Sequence, residues 1–256
     1  MTLSTEEWHN RFFQQAGWTR QARQYLFSRL GLKSGSRVLE AGCGTGAVLS
    51  ELAQSGASSW HGLDIRLEYL QLAQQHVPTA QLSAGDAHHL PYAEASFEAA
   101  CCHFLLLWVR DPAGVVAELS RVTCPGGRVL LLAEPDYGGR IDYPYELAIL
   151  GEWQSQGLTQ AGANPQIGRR IGALLSRAGL VEIESGVLGG QWSQPPAEDD
   201  WQMEWQVLRA DLEQLPGVLP GREADIAALQ EIDRLAWQRG ERVLYVPTFY
   251  AWGRKP

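Results

Sequence analysis

Apolar residues along the chain fall into two alternating patterns. Short runs with nearly every position apolar give way to stretches in which apolar residues recur every three or four positions. The first pattern reads as a buried strand, the second as one face of a helix. "RVLEA" is a strand, and "GAVLSELAQSG" is a helix stopped at Gly56. "WHGLDI" is the next strand, and Leu67 to Val77 a helix ended by Pro78. "AQLSAGD" is a short third strand and "FEAACCHF" a fourth. Asp111 and Pro112 supply the N-cap and first residue of a further helix, followed by a fifth strand, "GGRVLLLAE". Asn164-Pro165 opens a helix with Ile171, Leu174, Leu175 and Ala178 on its apolar face, and "LVEIESGVL" is a sixth strand.

The same reading covers both ends. Ser4 and Glu7 predict a capping box for a helix through Trp8, Phe12 and Phe13. A second helix begins at Thr19, carries Tyr25, Leu26 and Leu30, and stops at Gly31. After "SQPPAEDD", a linker-like stretch, come two helices, roughly Ala197–Leu215 and Arg222–Gly240. "VLYVPTFYAWGRKP" reads as one last apolar strand. The alternation of strands and helices predicts an α/β fold, a doubly wound, mostly parallel sheet covered on both faces.

Composition narrows the partners. The 256 residues carry a net charge of −8 and no Lys/Arg-rich run, which argues against a nucleic-acid or anionic-membrane partner. The cysteines, Cys43, Cys101, Cys102 and Cys124, have no metal-ligand spacing, so no metal is expected. Free thiols and the lack of a leader-like or membrane-spanning apolar run lead to the expectation of a cytoplasmic protein. Of the ten tryptophans, six lie after residue 150, so the aromatic surface is concentrated late in the chain.

The chemistry starts at "VLEAGCGTG", where Gly42, Gly44 and Gly46 strip the side chains from a strand-to-helix turn. A ligand can then lie against the backbone. In an open parallel sheet, ligands bind beyond the carboxyl ends of the strands. Those ends carry Glu40, Asp64, Asp86 and His103. Asp64 stands where a carboxylate would accept two ribose hydroxyls, and Asp86-Ala87 where an adenine edge would be gripped. The turn also reads as GxGxxA, so a nicotinamide-dependent oxidoreductase stays open at this point. So does a protein that binds S-adenosylmethionine or S-adenosylhomocysteine without transferring a methyl group. No GxSxG, phosphate-loop lysine or zinc signature competes.

"EAGCGTG", "GLDI", "GDAHHLPYAEASFE" and "PGGRVLLLAEP" in this order resemble the class I S-adenosylmethionine-dependent methyltransferases, and among them the ubiquinone and menaquinone methyltransferase group. The resemblance covers about residues 36–135. It implies a Rossmann-like, seven-stranded sheet with an antiparallel last strand and helical cap insertions. It also implies S-adenosylmethionine as cofactor and S-adenosylhomocysteine as product. Gly42, Cys43, Gly44 and Gly46 would carry the methionine part, and Glu40 its amino group. Asp64 would hold the ribose, Ile65 the adenine face, Asp86 and Ala87 its amino edge. His103 would lie near the methionyl end, and Arg20 is a candidate for its carboxylate.

In-line transfer from a sulfonium needs alignment above all, with a base only for some acceptors. His103 and Asp136 are the candidate bases, with Glu134 and Tyr143 also at the sheet edge. His103 is expected to keep an ordinary imidazole pKa. Trp18, Tyr137, Tyr143 and Trp192 are candidate contacts for a small, apolar or aromatic acceptor. The expected layout is 1–35 as helices over the cofactor, 36–191 as the core with a lid stretch at 136–165, 192–242 as a helical substrate lid, and 243–256 as the last core strand.

Overall fold

A computed structural model describes residues 4–53, 58–189, 195–213 and 223–256. In chain order the elements are α1 (Thr5–Ser28), β1 (Ser36–Ala41), α2 (Ala47–Ala53), β2 (Ser58–Asp64), α3 (Leu67–His76), β3 (Gln81–Ala84), β4 (Phe97–Cys102), α4 (Pro112–Val122) and β5 (Thr123–Pro135). They continue with β6 (Ile141–Tyr143), α5 (Ala148–Gln160), α6 (Ile171–Arg177), β7 (Val181–Leu188), α7 (Glu198–Glu213), α8 (Glu223–Gln238), β8 (Val243–Tyr245) and β9 (Thr248–Arg254). The chain divides into two compact units. One holds residues 3–134, 167–188 and 248–256; the other holds 135–166 and 189–247.

The first unit is built on a seven-stranded sheet in the order β3-β2-β1-β4-β5-β9-β7. β1 pairs in parallel with β2 and with β4, and β4 with β5, while β9 runs antiparallel to β7. The strand order reverses between β1 and β4, which opens a crevice at their carboxyl ends. Alternation along the central strands sends Leu39, Ala41, Ala100, Cys102 and Leu131 into one apolar layer. Val38, Ala99, Cys101, Leu130 and Leu132 enter the other, with Leu26, Val48 and Leu49 from α1 and α2.

The capping box forms: Ser4 Oγ accepts the Glu7 amide at 3.2 Å, and Glu7 accepts the Ser4 amide at 2.7 Å. The two expected N-terminal helices are one. α1 runs unbroken through Gly17, because that residue faces open space and costs only about 1 kcal/mol against alanine. Ala16, Thr19, Arg23 and Leu26 form its buried stripe.

At Asn164-Pro165 no helix opens. Asn164 Oδ1 caps the Gln166 amide at 3.1 Å, a local turn, and α6 begins only at Ile171 after a 3-10 turn at Gly168–Arg170. The last apolar segment is two strands, not one. Pro247, which has no N–H to donate, separates β8 from β9. β8 pairs antiparallel with β6 in a ribbon of its own, and β9 joins the main sheet.

The second unit joins the 136–165 stretch and the late helices, which the sequence reading kept apart. Its core is Leu147, Leu150, Trp153, Trp201, Trp205, Leu208, Leu212 and Ile226. Beside the core lies a buried ionic network. Arg242 donates to Asp142 at 2.8 Å and to Asp233 at 2.5 Å, and Arg140 to Asp142 at 2.6 Å. Both Trp201 and Trp205 donate their indole N–H to Asp233 Oδ2, at 2.6 and 3.0 Å. Among the described residues, no helix is long and apolar enough to cross a membrane, and no cluster of His, Cys, Asp and Glu could hold a metal ion.

Candidate cofactor site

β1 runs into the glycine turn at the strand-order reversal. Gly42, Gly44 and Gly46 have φ of +71°, +53° and +83°, the left-handed region where a Cβ is strained. At Gly42 space is short as well, since a Cβ there would lie 2.7 Å from Leu105 Cδ1. The Gly42 and Cys43 amides both donate to the Leu63 carbonyl, at 2.7 and 3.0 Å, which ties the turn to β2. Cys43 is buried, and burial holds its thiol well above the ordinary range, so it is a packing residue without thiolate reactivity.

Asp64, at the end of β2, closes this turn. Its Oδ2 accepts the Gly44 amide at 2.8 Å and its Oδ1 the Arg66 amide at 2.9 Å. Burial raises its pKa, with those two amides pulling the other way. Next to it Ile65 is 71% exposed, an apolar side chain left open at the crevice edge.

Glu40 is buried at the end of β1, and burial pushes its carboxyl up to about 8, opposed by the Arg23 charge and reinforced by that of Asp64. Its Oε2 is buried without a hydrogen-bond partner. A buried unpaired acceptor costs roughly 1–3 kcal/mol, so this oxygen is prepared for a donor.

α1 lies over the turn. His9 Nδ1 meets Thr45 Oγ1 at 2.8 Å, and a Cβ on Gly44 would stand 3.3 Å from the Phe12 ring. Thr19 Oγ1 meets His103 Nε2 at 2.8 Å. Arg23, fully buried, bonds Thr19 and Glu51, yet its Nε has no partner. Arg20 is exposed and ion-pairs with Glu51 at 3.5 Å. Arg23, not Arg20, is thus the buried guanidinium on this face of α1. The signal was there: the spacing of Ala16, Thr19, Arg23 and Leu26 turns 23 inward and leaves 20 outside.

His103 is half-buried, with Phe104 against its ring at 4.6 Å. Burial first, then the Arg23 charge, hold its pKa well below 6.5. This corrects the expectation of an ordinary imidazole. Glu134, at the end of β5, builds the loop that follows β4. Its carboxylate accepts the Leu105, Leu106 and Leu107 amides at 3.0, 2.9 and 3.2 Å, and burial raises it to about 8 against those donors. Leu105, which packs on Gly42, is placed by these bonds.

Asp86 is exposed and its Oδ1 accepts the His88 amide at 2.9 Å, while Ala87 is buried. The following loop is fastened to α4. Glu118 takes the Leu90 amide at 2.8 Å, and Arg121 donates to the Tyr92 and Leu90 carbonyls at 2.9 and 3.0 Å.

The remaining candidates do not join this cluster. Trp18 is exposed on α1 under the Arg11 guanidinium, 4.8 Å from its ring centre. Asp136, Tyr137 and Tyr143 belong to the second unit. There Asp136 is buried, the Tyr137 amide donates to the Pro165 carbonyl at 2.8 Å, and exposed Tyr143 meets the Tyr145 ring edge-on at 5.6 Å. Trp192 lies outside the described residues.

A reversing parallel sheet, a left-handed glycine turn and acids at successive strand ends are the arrangement that nucleotide-binding α/β folds use at their crevice. Comparison with known proteins makes this specific. Residues 39–131 match the methyltransferase domain family. A demethylmenaquinone methyltransferase of Renibacterium salmoninarum is 35% identical over 124 residues, covering 48% of this chain and 52% of that protein. An uncharacterized 37.1 kDa protein in transposon TN4556 of Streptomyces fradiae is 32% identical over 179 residues, 66% of this chain and 51% of that protein. The chain thus spans about half the length of the curated relatives it matches.

Among solved structures, geranyl diphosphate C-methyltransferase of Streptomyces coelicolor, in complex with Mg2+, geranyl diphosphate and S-adenosylhomocysteine, has the same fold. Its TM-score is 0.57 at 17% identity, over 93% of this chain and 79% of that one. Over residues 39–131 the chain is thus similar to methyltransferase domains, the demethylmenaquinone methyltransferases among them.

Proposed function

We propose that the protein transfers the methyl group of S-adenosylmethionine to a small, apolar or aromatic organic molecule. The observation that carries this reading is the set of unfilled valences around the glycine turn. Glu40 Oε2 lacks a donor and Arg23 Nε lacks an acceptor, both buried. An amino-acid end, with its ammonium and carboxylate, matches that pair. The glycine cradle, Asp64 and exposed Ile65 fit a ribose and an adenine face in the same crevice. The donor set fits the cofactor.

When bound, S-adenosylmethionine supplies an electrophilic methyl group on a sulfonium. The chain's own residues supply orientation. Glu40 and Arg23 fix the amino-acid end, Asp64 the ribose hydroxyls, Ile65 the adenine face, and Asp86 with the Ala87 amide its polar edge. α1 excludes water from the turn through Phe12 and the Thr19–His103 bond. With its depressed pKa His103 is a weak proton acceptor, so alignment of the acceptor with the methyl group carries the transfer.

The names of the relatives support the substrate class, since demethylmenaquinone and geranyl diphosphate are both organic molecules with large apolar parts.

A thermal-shift panel with S-adenosylhomocysteine, S-adenosylmethionine, NAD and NADP tests the reading. A ligand at a hundred times its Kd adds ~2.7 kcal/mol of stability. The adenosyl compounds should raise Tm and the nicotinamide compounds should not. A shift with NAD alone overturns the proposal.

A further inference from the structure

We infer that His88 is a positioning residue for adenine recognition, holding the Asp86 carboxylate so that one oxygen is presented to the base. The inference rests on the cofactor reading above. It adds His88 to the residues around that site.

The protonation of His88 follows from its partners. Its Nε2 receives the Asp111 backbone amide at 3.3 Å. A backbone N–H can only donate, so Nε2 is the acceptor and carries no proton. The single ring proton is then on Nδ1, which lies 2.7 Å from Asp86 Oδ1 and donates to it. The same oxygen also accepts the His88 amide at 2.9 Å. The ring and amide of His88 together hold Asp86 below the usual carboxylate range, so the group is an anion at neutral pH.

The other end of the ring is equally fixed. Asp111 is the N-cap of α4, with Oδ1 accepting the Ala113 amide at 3.1 Å. His88 therefore spans from the first turn of a helix to the acid at the end of β3. Both bonds to Asp86 fall on Oδ1, which leaves Oδ2 for a ligand.

An anionic oxygen that can only accept selects a base edge that donates. Adenine presents an exocyclic amino group there, whereas hypoxanthine presents a carbonyl oxygen that meets the carboxylate acceptor to acceptor. Mispairing of a polar group costs about 1–3 kcal/mol, or roughly 5- to 150-fold. That discrimination requires Asp86 to be held still, because a free carboxylate can swing away from the wrong base and recover solvation. Holding it is the work assigned to His88.

Calorimetric titration of the full chain with S-adenosylhomocysteine and S-inosylhomocysteine tests this. Wild type should prefer the adenine compound by more than about tenfold. His88→Ala should cut that ratio at least about fivefold. His88→Asn, whose amide nitrogen can donate to Asp86 in place of Nδ1, should restore much of it. A wild-type ratio in His88→Ala overturns the inference, and so does an equal weakening of both compounds that His88→Asn leaves uncorrected. Wild type that binds neither compound fails the cofactor reading itself, a different outcome from either.

Discussion

Asp64 holds Gly44: the carboxylate at the end of β2 accepts the amide of the middle glycine of the turn after β1, at 2.8 Å. One side chain thus shapes the turn and faces the crevice the turn creates. Asp64→Ala removes the acceptor for both the Gly44 and Arg66 amides. The ligand-free protein should lose about 1–3 kcal/mol in urea unfolding, and affinity for S-adenosylhomocysteine should fall tenfold or more. Unchanged affinity by calorimetry in a folded variant contradicts the ribose assignment.

Glu40 makes stability depend on pH in an unusual direction. Its folded pKa of about 8 lies above the ordinary 4.5, so between those values the folded state holds a proton that the unfolded state has released. Stability from this group is complete below about pH 4.5 and is lost as pH rises through 8. Glu134, also raised to about 8, acts with the same sign. Glu40→Gln should therefore gain stability relative to wild type between pH 6 and 8 when no ligand is present. Urea midpoints measured across that range check it, and a constant difference between the two proteins refutes it.

The same proton should leave on binding. An ammonium group beside Glu40 favours its charged form, so binding of S-adenosylhomocysteine near pH 7 releases protons. Titration in buffers of different ionisation enthalpy measures the number. Glu40→Gln should abolish the release attributable to this carboxyl.

His103 should stay neutral through the physiological range. Burial and the nearby Arg23 both disfavour the imidazolium. NMR of the labelled imidazoles should show that the ring whose resonance His103→Gln removes has no titration step near pH 6.5. A normal midpoint for it would restore His103 as a general base.

Arg242 is the centre of the second unit's ion network, between Asp142 and Asp233. Arg242→Ala leaves two buried carboxylates without this partner, and breaking a buried pair costs about 3–5 kcal/mol. Trp201 and Trp205 share Asp233, so indole fluorescence reports the loss directly. The fluorescence-detected transition should move to lower urea.

The core sheet was legible because its strands are short apolar runs and its turn depends on glycine. "VLEAGCGTG" shows both, and Asp64 and Asp86 follow from where strands end. The second unit was not. β6 is only Ile141–Tyr143, with two outward apolar residues around one buried aspartate, and three residues carry no period to read. The split between β8 and β9 hides inside one apolar run because both strands share its composition, and only Pro247 marks the break. Arg23 was readable from helical spacing, but a charged residue is by habit set outside. His88 was unreadable, since its two partners meet only after α4 docks against the loop.

The second unit supplies its own core, ribbon and ion pairs, and the matched domain ends at 131, before that unit opens at Pro135. Evolution can then vary the two parts at different tempos. Drift in the later part alters aromatic surface without disturbing the register of the sheet, so paralogues of this chain should agree in their glycine turn and diverge fastest beyond Pro135.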